Sequence, residues 1–444
     1  MTSPSRGVAP SADPSGTGQN SGVDPIEPLA GIYGFLPPGS SVLVHDGPMV
    51  VGGTHQGQGQ VWLSLDADLR LVWETDAHAV LGDTNLSLDR PELGWVEVPA
   101  TVYRSTGAGE IAEANLGETS VLSRVVTHWI NLPIILPAAP LKSADLVWAG
   151  RWSCEGGGWT LTLDQRPDHQ SCVEAMRGTR KFTITHVGEL RRSDNAPFTA
   201  DQAADTLRAF QLALSFAVGG WVAPALPVGL DSTGRRVWEQ WAAWRCDPFH
   251  GHLQWWDTHT GADLSAMVGQ YLSAWTTPGA RDVVRHLAHH AISANHMDVT
   301  LEARIMLAQA GLEYLAWITH VVEGGRSRAE HKALQAHEVL RELTTAAKIP
   351  NAIPPELDAL PGLLTEEDAD GPRVVTWLRN RLVHPKDAGE PYQLAHTVDH
   401  AWLLSMHYLD LLLLHRLGYQ GAYLKRFPPG GWAHGSQPVP WAST

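Results

Sequence analysis

Short runs of alternating apolar and polar positions, or of β-branched residues, dominate the first part of the chain. Eight such runs are separated by Gly, Pro, Asp and Asn residues: Ser41–His45, Val61–Leu65, Leu71–Glu74, Trp95–Val98, Val121–Ile130, Leu146–Trp152, Trp159–Leu163 and Lys181–Val187. A period of two is typical of half-buried strands, and the separating residues favour turns. The pattern predicts a β-rich domain over residues 28–198, either a sandwich or an open barrel.

The apolar spacing changes to a helical period near residue 199. Thr199 precedes a run in which Leu207, Phe210 and Leu214 share one face, and Gly219 follows that run. Thr before a helix and Gly after it are common capping residues. We expect a helix here, followed by a Trp cluster between residues 238 and 256 that packs the helix onto the β-layer. Together they form a junction over 199–260.

Helical spacing continues through the rest of the chain. Candidate helices cover 262–275, 279–295, 298–322, 326–347, 371–383 and 391–417. In the third of these, Leu301, Ile305, Ala308 and Leu312 fall on one face, as in an amphipathic helix. The sequence thus predicts an α+β protein whose C-terminal part is an all-α bundle over 261–427. A flexible tail rich in Pro and Gly is expected over 428–444.

The composition narrows the class of protein. A chain of 444 residues is long enough for two or three domains, and its formal net charge of -15 argues against general coating of nucleic acid. Residues 1–27 are rich in Ser, Gly and Pro, which predicts a disordered leader and no signal peptide. The chain contains no run of about 18 apolar residues, so the sequence predicts no membrane span. The three Cys residues are widely spaced. We expect a reduced, cytoplasmic protein that does not enter a membrane.

One stretch could carry chemistry. Arg379 and Asn380 lie off the apolar stripe of the predicted helix 371–383, and Pro385 ends that helix beside His384. An Arg can stabilise phosphate charge, and a His can take the proton of a ribose 2′-hydroxyl. The spacing Arg-x4-His occurs five times in the chain, but only at Arg379 does Asn follow the Arg. Arg379, Asn380 and His384 are therefore candidate catalytic residues.

The string Arg379-Asn380-x-x-x-His384-Pro385 resembles the signature of HEPN domains, and the resemblance covers about 262–420. The N-terminal layout is similar to that of ApeA-like antiviral defence proteins. It has a β-rich region, a helix, the Gly-bounded turn 229–234 and then a Trp-rich segment.

This resemblance implies a metal-independent endoribonuclease that acts in abortive antiviral defence or as a toxin. It implies an RNA substrate, no cofactor and no metal. In that family the Arg, the next polar residue and the His line a cleft between two bundles packed as a homodimer. A phage-derived or small-molecule trigger is expected on the β-rich domain.

Three further residues are candidates for a supporting role. Glu302 and Glu313 share one face of the helix 298–322, being eleven residues apart. One of them is expected to orient Arg379 from the facing helix, as acidic residues do in such domains, although both also fit a solvated polar stripe. Arg381 lies inside the motif, and the pattern does not fix its role.

Two other functions remain open from the sequence. The bundle could be a non-catalytic dimerisation module, with a ligand or partner bound by the β-rich domain. The spacing of Asp282, His286 and His290, and of His396, His400 and His407, could also hold a metal in the bundle. The bundle lacks the Glu-x-x-His pairs of a di-metal site. Our prediction is that no metal is bound.

Overall fold

The computed structural model describes residues 24–117, 121–144, 146–249, 253–364, 369–427 and 435–442. Over these residues the chain is a mixed α/β protein, with a β-rich N-terminal region followed by helices. The predicted order of the two parts is confirmed. Most of the predicted leader lies outside the described residues, and near its end Ile26 pairs with Leu141 of the sheet described below.

Six antiparallel strands close into a barrel. They are β1 (Val42–Val51), β2 (His55–Ser64), β3 (Arg70–Thr75), β4 (Gly82–Arg90), β5 (Gly94–Arg104) and β6 (Ala108–Ile111). Their order is β1-β2-β3-β6-β5-β4, and the pairing of Met49 with Leu88 closes the ring. Alternate residues such as Val61 and Trp73 fill the interior. The expected sandwich or open barrel is therefore replaced here by a closed barrel.

A second, eight-stranded antiparallel sheet follows. Its strands are β7 (Glu113–Leu116), β8 (Arg124–Ile130), β9 (Ala139–Ser143), β10 (Leu146–Gly156), β11 (Trp159–Gln165), β12 (Ile184–Arg192), β13 (Ala223–Leu230) and β14 (Arg236–Ala242). The order is β7-β14-β13-β8-β12-β11-β10-β9, with the short helix α1 (His169–Met176) between β11 and β12. The sheet crosses the predicted boundary at 198, because Ala223 pairs with Ile130.

The sheet separates two hydrophobic cores. Ile130 lies in the core shared with the barrel, whereas its neighbour Trp129 lies in the core shared with the helices. Successive residues of a strand point to opposite faces, so a single strand serves both cores. This arrangement joins the barrel and the bundle through one shared sheet.

The helix predicted after Thr199 is present as α2 (Ala200–Val218). The hydroxyl of Thr199 accepts a hydrogen bond from the amide of Gln202, whose side chain accepts one in return. Gly219 ends the helix with φ of 77°. Trp255 is fully buried with its ring 5.5 Å from that of Phe216, so this member of the predicted Trp cluster packs against the helix, whereas Trp241 lies in the core shared with the barrel.

The C-terminal part is helical, as expected. Its helices are α3 (Gly261–Thr276), α4 (Ala280–Asn295), α5 (Leu301–Trp317), α6 (Arg328–Ala333), α7 (Ala336–Ala346), α8 (Gly371–Val383), α9 (Glu390–Gln393) and α10 (Ala395–Arg416). A π-helical turn, Ile318–Glu323, extends α5. The helix predicted over 326–347 is broken, because Leu334 is extended and capping boxes at Ser327 and Gln335 start two separate helices.

The bundle lies directly on the sheet. A Cβ added to Gly156, in the β10–β11 hairpin, would lie 2.6 Å from the Cα of Gly269 in α3.

The C-terminal tail differs from its prediction over 435–442. There β15 (Ala422–Leu424) pairs with β16 (Ser436–Pro438), and Trp441 is buried with its indole N–H donating to Tyr419 O. Residues 428–434, which supplied much of the Pro and Gly signal, lie outside the described residues.

One described helical stretch, Leu301–Glu323, is long and apolar enough to cross a membrane, with a mean hydropathy of 1.3. A core helix of a soluble protein passes the same test, so one such stretch is weak evidence. Arg304 within it is buried, donates to Ala294 O and lies 3.6 Å from the ring centroid of Trp402. These contacts hold the first turns of the stretch in the bundle, and 39% of its 18-residue window is buried.

Candidate active site

The motif lies on α8, a helix that local signals define well. The side chain of Asp370 accepts a hydrogen bond from Arg373 N at 3.0 Å, and Pro372 occupies the first turn. Val374 and Leu378 are fully buried and dock the helix into the bundle. The docked face leaves the end of α8 near the surface.

His384 is the C-cap of α8, as the following proline predicts. Its backbone, with φ of −129° and ψ of 66°, leaves the helix, and its N–H donates to Asn380 O at 2.7 Å. The side chains of Asn380 and His384 are both exposed. The structure thus brings the amide and the imidazole to the same exposed helix end.

Arg379 is held by two groups. One terminal nitrogen donates to Asn380 Oδ1 at 3.1 Å, and the other lies 3.3 Å from a carboxylate oxygen of Glu313 on α5. Its Nε is buried and has no hydrogen-bond partner among the described residues. The contact expected from a facing acidic residue is therefore present for Glu313. The guanidinium keeps an unused donor within the part of the chain that the structure describes.

Glu302 does not take part in this arrangement. It is exposed in the first turn of α5. At 1.5 Å per residue, the eleven residues that separate it from Glu313 place it about 16 Å further along the axis. Sharing a helix face with Glu313 is thus not sufficient for contact with Arg379. The position of Glu302 does not support the supporting role considered for it.

Arg381 points to different partners from Arg379. Its Nε lies 3.8 Å from Glu390 of α9, and its guanidinium carbon lies 5.5 Å from the ring of Trp377. Glu390 also accepts a hydrogen bond from Lys386 N. Arg381 therefore ties the end of α8 to the loop that follows His384. Glu390 was not found from the sequence, since no spacing rule links it to the motif.

Carboxylates neutralise part of the positive charge that the sequence places around this helix end. Arg379 is paired with Glu313, and Arg381 with Glu390. At the start of α8, Arg373 lies beside His337, and burial together with this cation lowers the pKa of His337. The acidic segment 365–368 lies outside the described residues. The local surface is therefore less cationic than a count of Arg and Lys indicates.

A cavity of about 380 Å³ adjoins the Arg379–Glu313 pair. It lies between α5, α7 and α8 beside α6, and Glu313, Trp317, His331, Lys332 and Thr376 contribute to its wall. Sequence reasoning missed Trp317. His331 was noted from the sequence only as the histidine of another Arg-x4-His pair.

Two sets of residues were considered as metal ligands, and they are arranged differently. The first set is Asp282, His286 and His290, and the second is His396, His400 and His407. His286 Nε2 lies 3.2 Å from His290 Nε2, whereas Asp282 is paired with Arg285. In the second set, His407 is buried, and burial lowers its pKa to about 3. Within the described residues, no group of three or more His, Cys, Asp or Glu side chains is placed to hold a metal ion.

Comparisons with known proteins cover the sheet and the bundle. Residues 117–252 match the family model of the YopA central domain, and residues 278–436 match that of the YopA C-terminal domain. The SPbeta prophage-derived uncharacterized protein YopA of Bacillus subtilis (strain 168) is 25% identical over 286 residues. The match spans 63% of this chain and 63% of that relative. No solved structure matches. The stretch that carries Arg379, Asn380 and His384 is thus similar to the YopA C-terminal domain.

Proposed function

We propose that this chain is a metal-independent endoribonuclease of the HEPN type. The observation that carries the proposal is the clustering at one exposed helix end. Arg379 contacts Asn380 and Glu313 and keeps an Nε donor that no described residue uses, while the C-cap His384 lies one helical turn beyond Asn380. An oriented cation beside an accessible imidazole is a suitable arrangement for cleaving a phosphodiester.

The chemistry needs only groups from the chain and the RNA. The imidazole of His384 takes the proton of a 2′-hydroxyl, whose oxygen attacks the adjacent phosphorus. The P–O5′ bond then breaks, O5′ takes up the proton that the His384 imidazolium gives back, and the products are a 2′,3′-cyclic phosphate and a 5′-hydroxyl. The guanidinium of Arg379 stabilises the extra negative charge on the phosphorane oxygens.

A second copy of the chain would complete the cleft. The surface around His384 includes Val383, which is 44% exposed, and Tyr392, which is 83% exposed. Both side chains belong to the α8–α9 end of the bundle, and a second copy of the chain would cover the apolar surface that they expose there. We therefore place the homodimer contact at the α8–α9 end of the bundle, where it brings two His384 side chains near one RNA strand.

The biological setting that we propose is antiviral defence or toxicity in the cytoplasm. The relative named above is prophage-derived, and this origin is compatible with a role in conflict between phage and host. A toxic ribonuclease must be held inactive until a trigger arrives. The β-rich region, joined to the bundle through the shared sheet, is where we place that control.

The experiment is incubation of total RNA with purified protein in EDTA, followed by mapping of the new RNA ends. Cleavage is expected from the parent chain and not from Arg379→Ala or His384→Ala. Arg285→Ala and His396→Ala are matched controls, because both side chains are exposed on other helices of the bundle. Equal cleavage by all five proteins would refute the assignment.

The second candidate function is ligand binding without catalysis. A groove of about 440 Å³ runs between the β4–β5 hairpin and the sheet, lined by Trp95, Glu97, Asn115 and Arg235. Trp95 is 57% exposed, and an open indole beside polar groups suits the apolar face and the hydroxyls of a sugar. Glycan binding that is lost in Trp95→Ala, together with RNA left intact by the parent chain, would favour this function.

A further inference from the structure

The cavity beside Glu313 has the walls of a binding site for a planar, hydrogen-bonding ligand. We propose that it receives one nucleobase of the RNA next to the cleaved phosphate, so that it sets the base preference of the cut. This inference rests on the proposed ribonuclease function. It adds Trp317, His331 and Lys332 to the residues that contact the substrate.

The position of the cavity links it to the candidate catalytic residues. Glu313 belongs to the cavity wall and is also the partner of Arg379. Thr376, another wall residue, lies three residues before Arg379 on α8, and residues at that spacing are neighbours on a helix face. A phosphate held by Arg379 would therefore lie at the edge of the cavity, with the attached nucleoside within reach of it.

The interior of the cavity suits a base. Its deep wall is apolar, formed by buried residues that include Leu312, Ala316 and Leu340. The rings of Trp317 and His331 meet edge to face at a centroid distance of 5.3 Å. Its volume of about 380 Å³ is near the lower end of the range for small-molecule pockets, about 300–1,000 Å³. Aromatic side chains are the usual partners of unstacked RNA bases.

Polar groups decide between a base and a phosphate. His331 Nδ1 is buried and has no hydrogen-bond partner among the described residues. The carboxylate of Glu313 repels a phosphate but accepts hydrogen bonds from the N–H groups of a base. Lys332 is exposed and can contact the phosphate backbone outside the cavity. The cavity thus matches the base, and its rim matches the backbone.

Occupation of the cavity would also act on Arg379. A base that donates to Glu313 shares the carboxylate that now holds the guanidinium at 3.3 Å. The base and the guanidinium are then held by the same carboxylate, which fixes the attached phosphate relative to Arg379. Glu313 would in this way connect recognition of a base to the cation that stabilises the reaction.

The test separates binding from cleavage. Adenosine, cytidine, guanosine, uridine and inorganic phosphate are offered singly to the His384→Ala protein, and binding is measured by ligand-observed NMR. At least one nucleoside should bind, and Trp317→Ala in the same background should weaken it about tenfold or more. Tyr103→Ala, which removes an exposed ring of the barrel outside both this cavity and the Trp95 groove, is the matched control and should bind as before.

A second variant keeps the test decisive if Trp317→Ala does not fold. Ala336 lines the cavity but is exposed, so Ala336→Trp can fill the cavity while α7 is retained. It should block the nucleoside and remove the base preference next to the cut. Binding of phosphate alone, or nucleoside binding unchanged in both variants, would overturn the base pocket even if RNA is cleaved. Nucleoside binding that both variants lose would support the pocket even if the parent cleaves no RNA.

Discussion

The guanidinium of Arg379 on α8 lies 3.3 Å from the carboxylate of Glu313 on the facing helix α5. Both side chains are partly exposed, with 33% and 49% of their surface accessible. An ion pair this open contributes about 0–1 kcal/mol to stability. Its value therefore lies in the direction that it gives to Arg379, rather than in holding α5 and α8 together.

Glu313→Gln should lower the rate of RNA cleavage by about tenfold to a hundredfold, because the guanidinium loses its fixed orientation. The thermal midpoint should change little. Glu302→Gln is the matched control, since Glu302 lies on the same helix face but away from the motif. Cleavage of a short fluorogenic RNA gives kcat and KM. A positioning role predicts a loss in kcat that Glu313→Asp partly restores, whereas equal rates in the Glu313→Gln and Glu302→Gln proteins would contradict it.

Arg381 and Glu390 make a different prediction, because they tie down the loop after His384. Arg381→Met should leave α8 folded and increase hydrogen exchange across residues 384–390, since the contact to Glu390 is lost. RNA cleavage should fall less than in Arg379→Ala. Arg381→Lys, which keeps the charge, is the control. Unchanged exchange in this loop would show that the 3.8 Å contact does not hold it.

How far the sequence predicts the fold depends on whether a signal is local. The caps at Thr199 and Gly219, and the end of α8 at His384, follow from neighbouring residues and are confirmed. The closed barrel depends on the pairing of Met49 with Leu88, and the extent of the sheet depends on the pairing of Ala223 with Ile130. Periodicity carries no information about which strands pair, so neither was predicted.

The same distinction between local signals and long-range pairing holds for the candidate site. The spacing within α8 places Arg379, Asn380 and His384 near the end of one helix, and these residues were predicted. Glu313 and Glu302 could not be separated by periodicity, because choosing between them requires the position of α8 along α5. The cavity wall at Trp317 combines α5 with α6, α7 and α8, and no pattern within one segment describes it.

A buried ion pair makes a prediction about how the barrel is attached. Arg90 of the barrel lies 2.8 Å from Glu239 of the sheet, and their side chains are only 4% and 1% exposed. Arg236 and the indole of Trp241 also donate to Glu239, each at 2.8 Å. The carboxylate is thus the common acceptor for groups on both sides of this contact.

Glu239→Gln should lower the free energy of unfolding by about 3–5 kcal/mol, because it leaves the buried Arg90 cation without its counter-charge. Asp282→Asn is the control, since it breaks the exposed pair with Arg285 and should cost about 0–1 kcal/mol. Thermal and denaturant unfolding of both variants against the parent give the comparison. Equal stability of the two variants would mean that the Arg90 charge is compensated in another way.

Buried histidines predict the response to acid. Burial lowers the pKa of His128 to about 4 and that of His407 to about 3, and the Lys425 and Arg426 charges add to the effect at His407. In the unfolded chain these groups titrate near 6.5. Between pH 6.5 and about 4 the unfolded chain therefore binds protons that the folded chain does not. Stability is fully present above pH 6.5 and is lost as the pH falls through this window.

His407→Leu should flatten this loss, because it removes one of the buried groups that must stay neutral in the folded chain. Each such group contributes up to about 1.4 kcal/mol per pH unit within the window. His396→Ala, an exposed histidine on the same helix, should keep the parent slope. The measurement is the thermal midpoint at several pH values from 7.5 to 4.5. A slope in His407→Leu as steep as in the parent would show that His407 is protonated in the folded chain, or that other groups dominate the acid response.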